Sequence, residues 1–399
     1  MRYLFFITLV VLGNVMTNGA FAQPHIYQRL QSQLITVANG DTVYLPKGTF
    51  FMEKSLSLEG KKNITIRGAG MGKTVFNFRN QKSGAEGIKI ANSYHITIEG
   101  LTVQEAKGDA IKAINVTGMI FRHVETEWAG NHQNSYGAYG LYPVLCKQVL
   151  IEHCQARGAC DAGIYVGQSS DIVVRYCEVE KNVTGINLEN SARVDVYNNL
   201  SMNNACGILV MDVPTVMVTN GGQVRLFKNK IFRNNHRNFA PKMAMVAGVP
   251  SGSGIMVVAT SQVEVFANEI IDHQTIGTGV FHYDLIGIET TYEKYNPYPS
   301  NISIYDNVYR RSRLVPKFHR KLKNIPFKPF QAPHIIYDGV IDPAKKGKNT
   351  LCIRNNQVQD QYPLFANINA AQGFKNIRYN AKKYDCSLPR LNKVWVGFE

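Results

Sequence analysis

Gly163-Ile164-Tyr165-Val166 returns 22 residues later as Gly185-Ile186-Asn187-Leu188, and after another 22 as Gly207-Ile208-Leu209-Val210. The phrase is present upstream as Gly87-Ile88-Lys89-Ile90, Ala110-Ile111-Lys112-Ala113 and Gly140-Leu141-Tyr142-Pro143, and downstream as Gly254-Ile255-Met256-Val257. Nine residues after each small residue a second apolar strand begins, such as Ile172–Cys177 after Gly163 and Val194–Asn199 after Gly185. A fixed period built from short apolar strands predicts an all-β solenoid, in which each coil buries its face only against its neighbours.

In each Gly-Ile-x-φ strand, Ile and φ point inward and x points outward, because side chains alternate across a strand. The outward column reads Lys89, Lys112, Tyr142, Tyr165, Asn187, Leu209, Met256. Neighbours in it stand one strand spacing apart, about 4.8 Å. Glu189 also points outward, and Asp161 sits in the turn before Tyr165. The second strands carry a column that runs Leu101, Val124, Cys154, Cys177, Asn199, Asn229, Asn268, Asn307. It predicts an inward stack that ends as an asparagine ladder at a turn, with Cys154 and Cys177 as small buried fillers.

The arithmetic of the repeat locates three insertions, in 126–138, 212–222 and 235–251. Two enter the Gly-Ile sheet from one corner and one leaves it at the other, and loops gathered on a rigid scaffold are where binding and catalysis concentrate. Lys112, Tyr142, Tyr165 and Asn187 lie between them and are the candidate catalytic set. Abstracting the proton beside a sugar carboxylate needs a base, a role for Lys or Tyr with a lowered pKa. The developing enolate needs a cation or a hydrogen-bond donor, here Lys112 or Asn187, and a second Tyr serves as acid. Lys89, His132, Tyr136, Asp161, Glu189, Arg237 and Lys242 are the candidate substrate contacts. Stacked Tyr and Lys on a sugar-binding sheet without catalysis fit the same column. His123 and His153 share a column position, but no third residue is spaced to complete a metal site with them. No cofactor is expected; a Ca²⁺ ion stays open.

The chain opens with Arg2, the apolar run Leu4–Leu12 and Ala20-Phe21-Ala22, the pattern of a secretory signal peptide over 1–22. No later apolar stretch is long enough to span a bilayer, so the protein is expected to be exported, periplasmic or secreted, and not membrane-spanning. Residues 25–38 carry Ile26, Leu30, Leu34, Ile35 and Ala38 on a helical period, a cap for the open end of the coils. The β-helix is assigned to 23–309, and basic C-terminal coils with a cap to 310–399. That last segment holds 18 Lys and Arg against 5 Asp and Glu, and so +13 of the chain's +15. It suits an anionic polysaccharide, a headgroup or an acidic partner, or simply a solvated surface. Nucleic acid is excluded by export and by the lack of a binding motif. Cys352 and Cys386 are candidates for a bridge within this segment, and seven Cys leave at least one free thiol.

The stretches Tyr136–Tyr142, Asp161–Ser169, Cys206–Pro214, Asn234–Pro241 and Leu351–Asn356 resemble the exported bacterial parallel β-helix domain-containing proteins, of the pectate-lyase-like superfamily. The resemblance implies a single-stranded right-handed parallel β-helix. It also implies a possible exported c-type cytochrome as partner, since such proteins occur beside one. The wider superfamily contains polysaccharide lyases, hydrolases and uronate epimerases, although this chain lacks their Asp-Pro-His-Asp and clustered-Asp motifs. The expectation is therefore a protein that acts on a polysaccharide, as lyase or C5-epimerase of a uronate polymer. The alternatives are a non-catalytic carbohydrate- or surface-binding solenoid and an accessory protein of the cytochrome.

Overall fold

A computed structural model describes residues 26–130, 137–286, 294–312, 320–327, 332–345 and 350–397. The signal-peptide segment, His132 and Tyr136 lie outside these residues. The described strands form one continuous parallel ladder wound into a three-walled tube. Strands Tyr139–Val144, Ala162–Gly167, Thr184–Glu189, Cys206–Met211 and Ser253–Val258 stack in register in the first wall. Lys147–Glu152, Ser170–Arg175, Ala192–Tyr197 and Gly222–Phe227 stack in the second. Three-residue strands such as Gln155–Arg157 and Glu178–Glu180 make the third.

The recurring dipeptide explains this stacking. The Ile of each phrase (Ile111, Ile164, Ile186, Ile208, Ile255) is fully buried inside the tube. The glycine before it marks where adjacent coils approach most closely. A Cβ at Gly185 would lie 2.6 Å from the carbonyl oxygen of Gly207, and one at Gly254 would lie 2.4 Å from that of Gly277. Glycine is required here by contact between coils rather than by an unusual φ.

At the corner after the second wall the asparagine ladder is complete. Asn199 Nδ2 donates to Asn229 Oδ1 at 3.0 Å, Asn229 to Asn268 at 3.0 Å and Asn268 to Asn307 at 2.9 Å, and Asn307 continues to Asn356 at 3.0 Å. Cys154 and Cys177 are buried on the same column, and Cys177 N–H donates to Asn199 Oδ1. A second ladder, Asn182–Asn204–Asn234 ending on His273, lines the corner before the first wall. The predicted N-terminal helix is α1 (Ile26–Thr36), and Ile26, Leu30 and Leu34 close the open end of the core.

Beyond residue 309 the walls continue. Ile335–Tyr337, Leu351–Arg354 and Phe365–Asn367 add further parallel rungs, the last of them unread in the sequence. Cys352 and Cys386 are disulfide-bonded. From that bridge the chain turns back along the outside of the second wall. Val394 N–H donates to Asp195, and Val394 and Val396 pack on Leu150 and Val173. The bridge closes a 34-residue separation, for which loop-entropy accounting gives about 3–4 kcal/mol. Cys386→Ser is expected to free the segment after it, read as new proteolytic cleavage within 387–397 while the coils stay resistant. Unchanged digestion would mean that the packing of Val394 and Val396 suffices.

Candidate functional site

Register places the outward column as expected: Lys89 opposite Lys112, Lys112 opposite Tyr142, and Tyr165 opposite Asn187. Lys112 Nζ stands 4.9 Å over the ring of Tyr142, 3.8 Å from Glu86 and 4.0 Å from Asp109. The Tyr142 ring meets Tyr165 edge-on at 4.9 Å, and both touch Tyr139, at 4.6 and 4.3 Å. Tyr165 donates to Glu189 Oε1 at 2.6 Å, and Tyr139 lies 3.4 Å from Asp161 Oδ2. Five expected residues (Lys112, Tyr142, Asp161, Tyr165 and Glu189) thus form one cluster, joined through Tyr139.

The open ladder expected from Lys112 to Asn187 is not what the chain builds. Lys112 and Tyr142 are half-buried, but Tyr165 is 5 % exposed and Asn187 is fully enclosed. Farther along, Leu209, Met256 and Phe281 on the outside of the first wall lie under a second apolar core that includes Val213, Phe239, Val246, Tyr283 and Tyr295. The insertions therefore roof the later rungs instead of merely flanking them, and the open mouth is the part around Lys89, Lys112 and Tyr142. Both amide atoms of Asn187, and Oδ1 of Asp161, are buried without a hydrogen-bond partner. Such atoms are rare in folded proteins.

Burial also decides the protonation states. It pushes the phenols of Tyr139, Tyr142 and Tyr165 far above their ordinary value, helped by nearby carboxylates. They are donors, and the base role that the sequence allowed a Tyr is not supported. Asp161 is pushed up to about 8, by burial first and by Glu189 next. Glu189 is raised by burial. Asp109 rises only to about 6, because Lys112 opposes its burial. Asp109 is thus the carboxylate that titrates near neutrality beside a cation.

The sequence missed Asp109, Glu86 and Tyr139. A signal existed: Asp109 lies one residue before Ala110 and Asp161 two before Gly163, so both fall in the turn that leads into the first wall. Lys89 lines the opposite corner with Asn115, Lys147 and Val218. Arg237 and Lys242 lie on the 235–251 insertion, three rungs beyond Asp161, and do not join the cluster. His123 and His153 stack at 5.0 Å, and Tyr176 extends the stack at 5.1 Å. Among the described residues no group of three His, Cys, Asp or Glu is placed to hold a metal, and no helix is long and apolar enough to cross a membrane.

These features define a right-handed parallel β-helix protein with a tyrosine–carboxyl cluster on its first wall. Residues 62–221 match the family model described as the right handed beta helix region. Among solved structures the chain is similar to the Azotobacter vinelandii mannuronan C-5 epimerase AlgE4 A-module, with TM-score 0.57 and 17 % identity, covering 84 % of this chain and 92 % of that one. It is similar to the AlgE6 A-module of the same organism, with TM-score 0.50, 14 % identity, and coverage of 84 % and 90 %. The N-terminal fragment of bacteriophage phi29 gene product 12 shares the coil too, with TM-score 0.52 and 15 % identity over 83 % of this chain and 59 % of that one. No curated protein matches in sequence.

Proposed function

We propose that the protein is exported and acts on a uronate polysaccharide, by β-elimination or C5-epimerisation, at the mouth formed by Asp109, Lys112 and Tyr142. The observation that carries this reading is Lys112 held against the face of Tyr142 and beside Asp109, the carboxylate whose pKa of about 6 leaves it ionised at neutral pH. Two structurally similar proteins are mannuronan C-5 epimerases. Lys112 pairs with the sugar carboxylate and stabilises the enolate formed from it. Asp109 removes the C5 proton and keeps it. In elimination the electron pair of that C–H bond forms the new double bond, the C4–O bond breaks, and the neutral phenol of Tyr142 donates its proton to the departing oxygen. In epimerisation the same phenol returns a proton to C5 from the opposite side. Tyr165 is a positioning residue, locked by Glu189 and packed on Tyr142.

Asp109→Asn is expected to lower turnover of a uronate polymer by about 10²-fold or more while binding persists, the usual worth of a placed general base. The wild-type rate is expected to fall as pH drops through about 6, because protonation removes the base, and Asp109→Asn abolishes that limb. The check is a product screen, by ultraviolet absorbance of unsaturated ends and by NMR of C5 configuration, over a panel of uronate polymers. Turnover in Asp109→Asn and Lys112→Ala equal to wild type would overturn the reading. Binding of polymer without turnover by the wild type would leave a carbohydrate-binding solenoid.

A further inference from the structure

The insertion 235–251 builds a pocket of its own. It has a volume of about 590 Å³ and lies at the corner that leads into the first wall. Arg237 and Lys242 bring two cations to it, and Asn235, Asn238, Ser251 and Gln274 bring neutral polar groups. Among the described residues the lining contains no carboxylate, and the insertion 235–251 contains no Asp or Glu. Asp272, two residues before Gln274, is taken up by Ser312 at 2.7 Å and faces Arg233 at 3.6 Å.

The pocket is held in shape by its own hydrogen bonds. Asn238 Nδ2 donates to the carbonyls of Val246 and Val249, both at 2.8 Å, and its Oδ1 accepts from Ala240 N–H. Asn235 Nδ2 donates to Asp272 O, and its Oδ1 accepts from Gln274 N–H. Phe239, Val246 and Val249 are buried beneath, so the basic side chains stand on a fixed floor. A pocket of this size takes a sugar-sized ligand, and its charge selects an anion.

Its place along the solenoid names the ligand. The pocket lies three rungs past the coil of Asp161, about 14 Å at one strand spacing per rung. It flanks the same corner as Asp109 and Asp161, and the roof over the first wall bars a path along the outer column itself. We propose that this pocket is a remote subsite that holds a carboxylated sugar of a polymer whose reacting unit lies at Tyr142, a proposal that rests on the function argued above. Arg237 and Lys242 pair with the sugar carboxylate and Ala240, Ala247 and Val249 face its ring. Such a subsite makes longer chains bind better without touching the reacting bonds.

The test uses the full chain and separates this proposal from the reading on which it rests. Sodium glucuronate, with glucose as the neutral control, is titrated against wild type, the double variant Arg237→Gln/Lys242→Gln, and Lys112→Ala. Glucuronate is expected to bind at least about tenfold more tightly than glucose, a difference of about 1.4 kcal/mol, and the double variant is expected to erase that preference. Lys112→Ala is expected to retain it. With uronate hexamers, which are long enough to occupy the pocket and the Tyr142 mouth together, the double variant is expected to lose about tenfold in affinity. Equal binding of glucuronate and glucose, an unchanged double variant, or loss of the preference in Lys112→Ala would each overturn the subsite. Failure of Asp109→Asn to reduce turnover sinks the reaction at Tyr142 instead, and leaves the glucuronate result standing. The substituted side chains are exposed, and an unchanged melting temperature establishes that the variants fold.

Discussion

Asp161→Asn is expected to melt several degrees above wild type at pH 8 and close to wild type near pH 4. In the fold Asp161 is enclosed, faces Tyr139 and senses Glu189, so its pKa rises from 3.8 to about 8. A carboxyl raised on folding is protonated in the native state and ionised in the unfolded chain between those two values. The native state then binds the extra proton, and stability falls as pH rises from about 4 to about 8. Each pKa unit corresponds to about 1.4 kcal/mol, so a neutral isostere is expected to return roughly 2–4 kcal/mol at pH 8. Asp212 and Asp338, both raised to about 7 by burial, act in the same direction in the wild type. The opposing histidines are His273, lowered to about 3, and His282 and His334, also lowered, all by burial first. Their contribution is lost only as pH falls below the ordinary histidine value of 6.5. Between pH 6.5 and 8 the carboxyls therefore act without those histidines, and the melting temperature should fall across that window. A flat calorimetric profile there, with Asp161→Asn matching wild type at pH 8, would show that Asp161 is ionised and solvated in the native state.

The fold was legible because a solenoid writes its contacts locally. Gly163, Gly185 and Gly207 recur at the coil length because each meets the coil next to it, and the inward Ile beside each one recurs for the same reason. The Asn199–Asn307 column was readable on the same principle, as one residue type at one position of successive coils. The second ladder, Asn182–Asn204–Asn234, carries the same signal three residues before Gly185 and Gly207, but the insertion 235–251 separates Asn234 from Gly254 and leaves only two coils in which the spacing repeats. The roof over Leu209 and Met256 could not be read that way. It is made by 212–222, by 235–251 and by Tyr283, Tyr295, Leu322 and Ile325, which follow no period, and their placement depends on tertiary contacts such as Tyr295 Oη to Asp212 O at 2.8 Å. The site was half visible for the same reason. Register aligned Lys112, Tyr142 and Tyr165, but the burial that makes the tyrosines into donors and Asp109 into the titrating carboxylate arises from how these side chains pack on one another across coils, which no single repeat position spells out.

Asn229→Ala is expected to cost about 3–5 kcal/mol, more than any surface change on the coils. Asn229 N–H and Nδ2 both donate to Asn268 Oδ1, and Nδ2 also donates to Val196 O. Its own Oδ1 accepts from Asn199 N–H and Nδ2. Truncation removes the acceptor of the Asn199 N–H and of one of its two amide hydrogens, the other staying on Val174 O, and takes the side-chain donor from Val196 O, all inside the tube where water does not compensate them. Each buried group left unpaired costs about 1–3 kcal/mol. The damage has a direction as well as a size. In a solenoid each coil is stabilised by its neighbours, so a broken rung divides the stack instead of weakening it evenly. The coils from Gly222 onward are expected to lose protection before those around Tyr142, read as hydrogen exchange that is faster in Leu226, Val265 and Ile304 than in Ile164. Asn198→Ala, one residue away from the ladder and outside the tube, is the control and is expected to cost about 1 kcal/mol or less, for its positive φ alone. Equal destabilisation by the two changes, or protection lost uniformly along the chain, would mean that the apolar interior alone holds the coils in register and the ladder adds nothing to it.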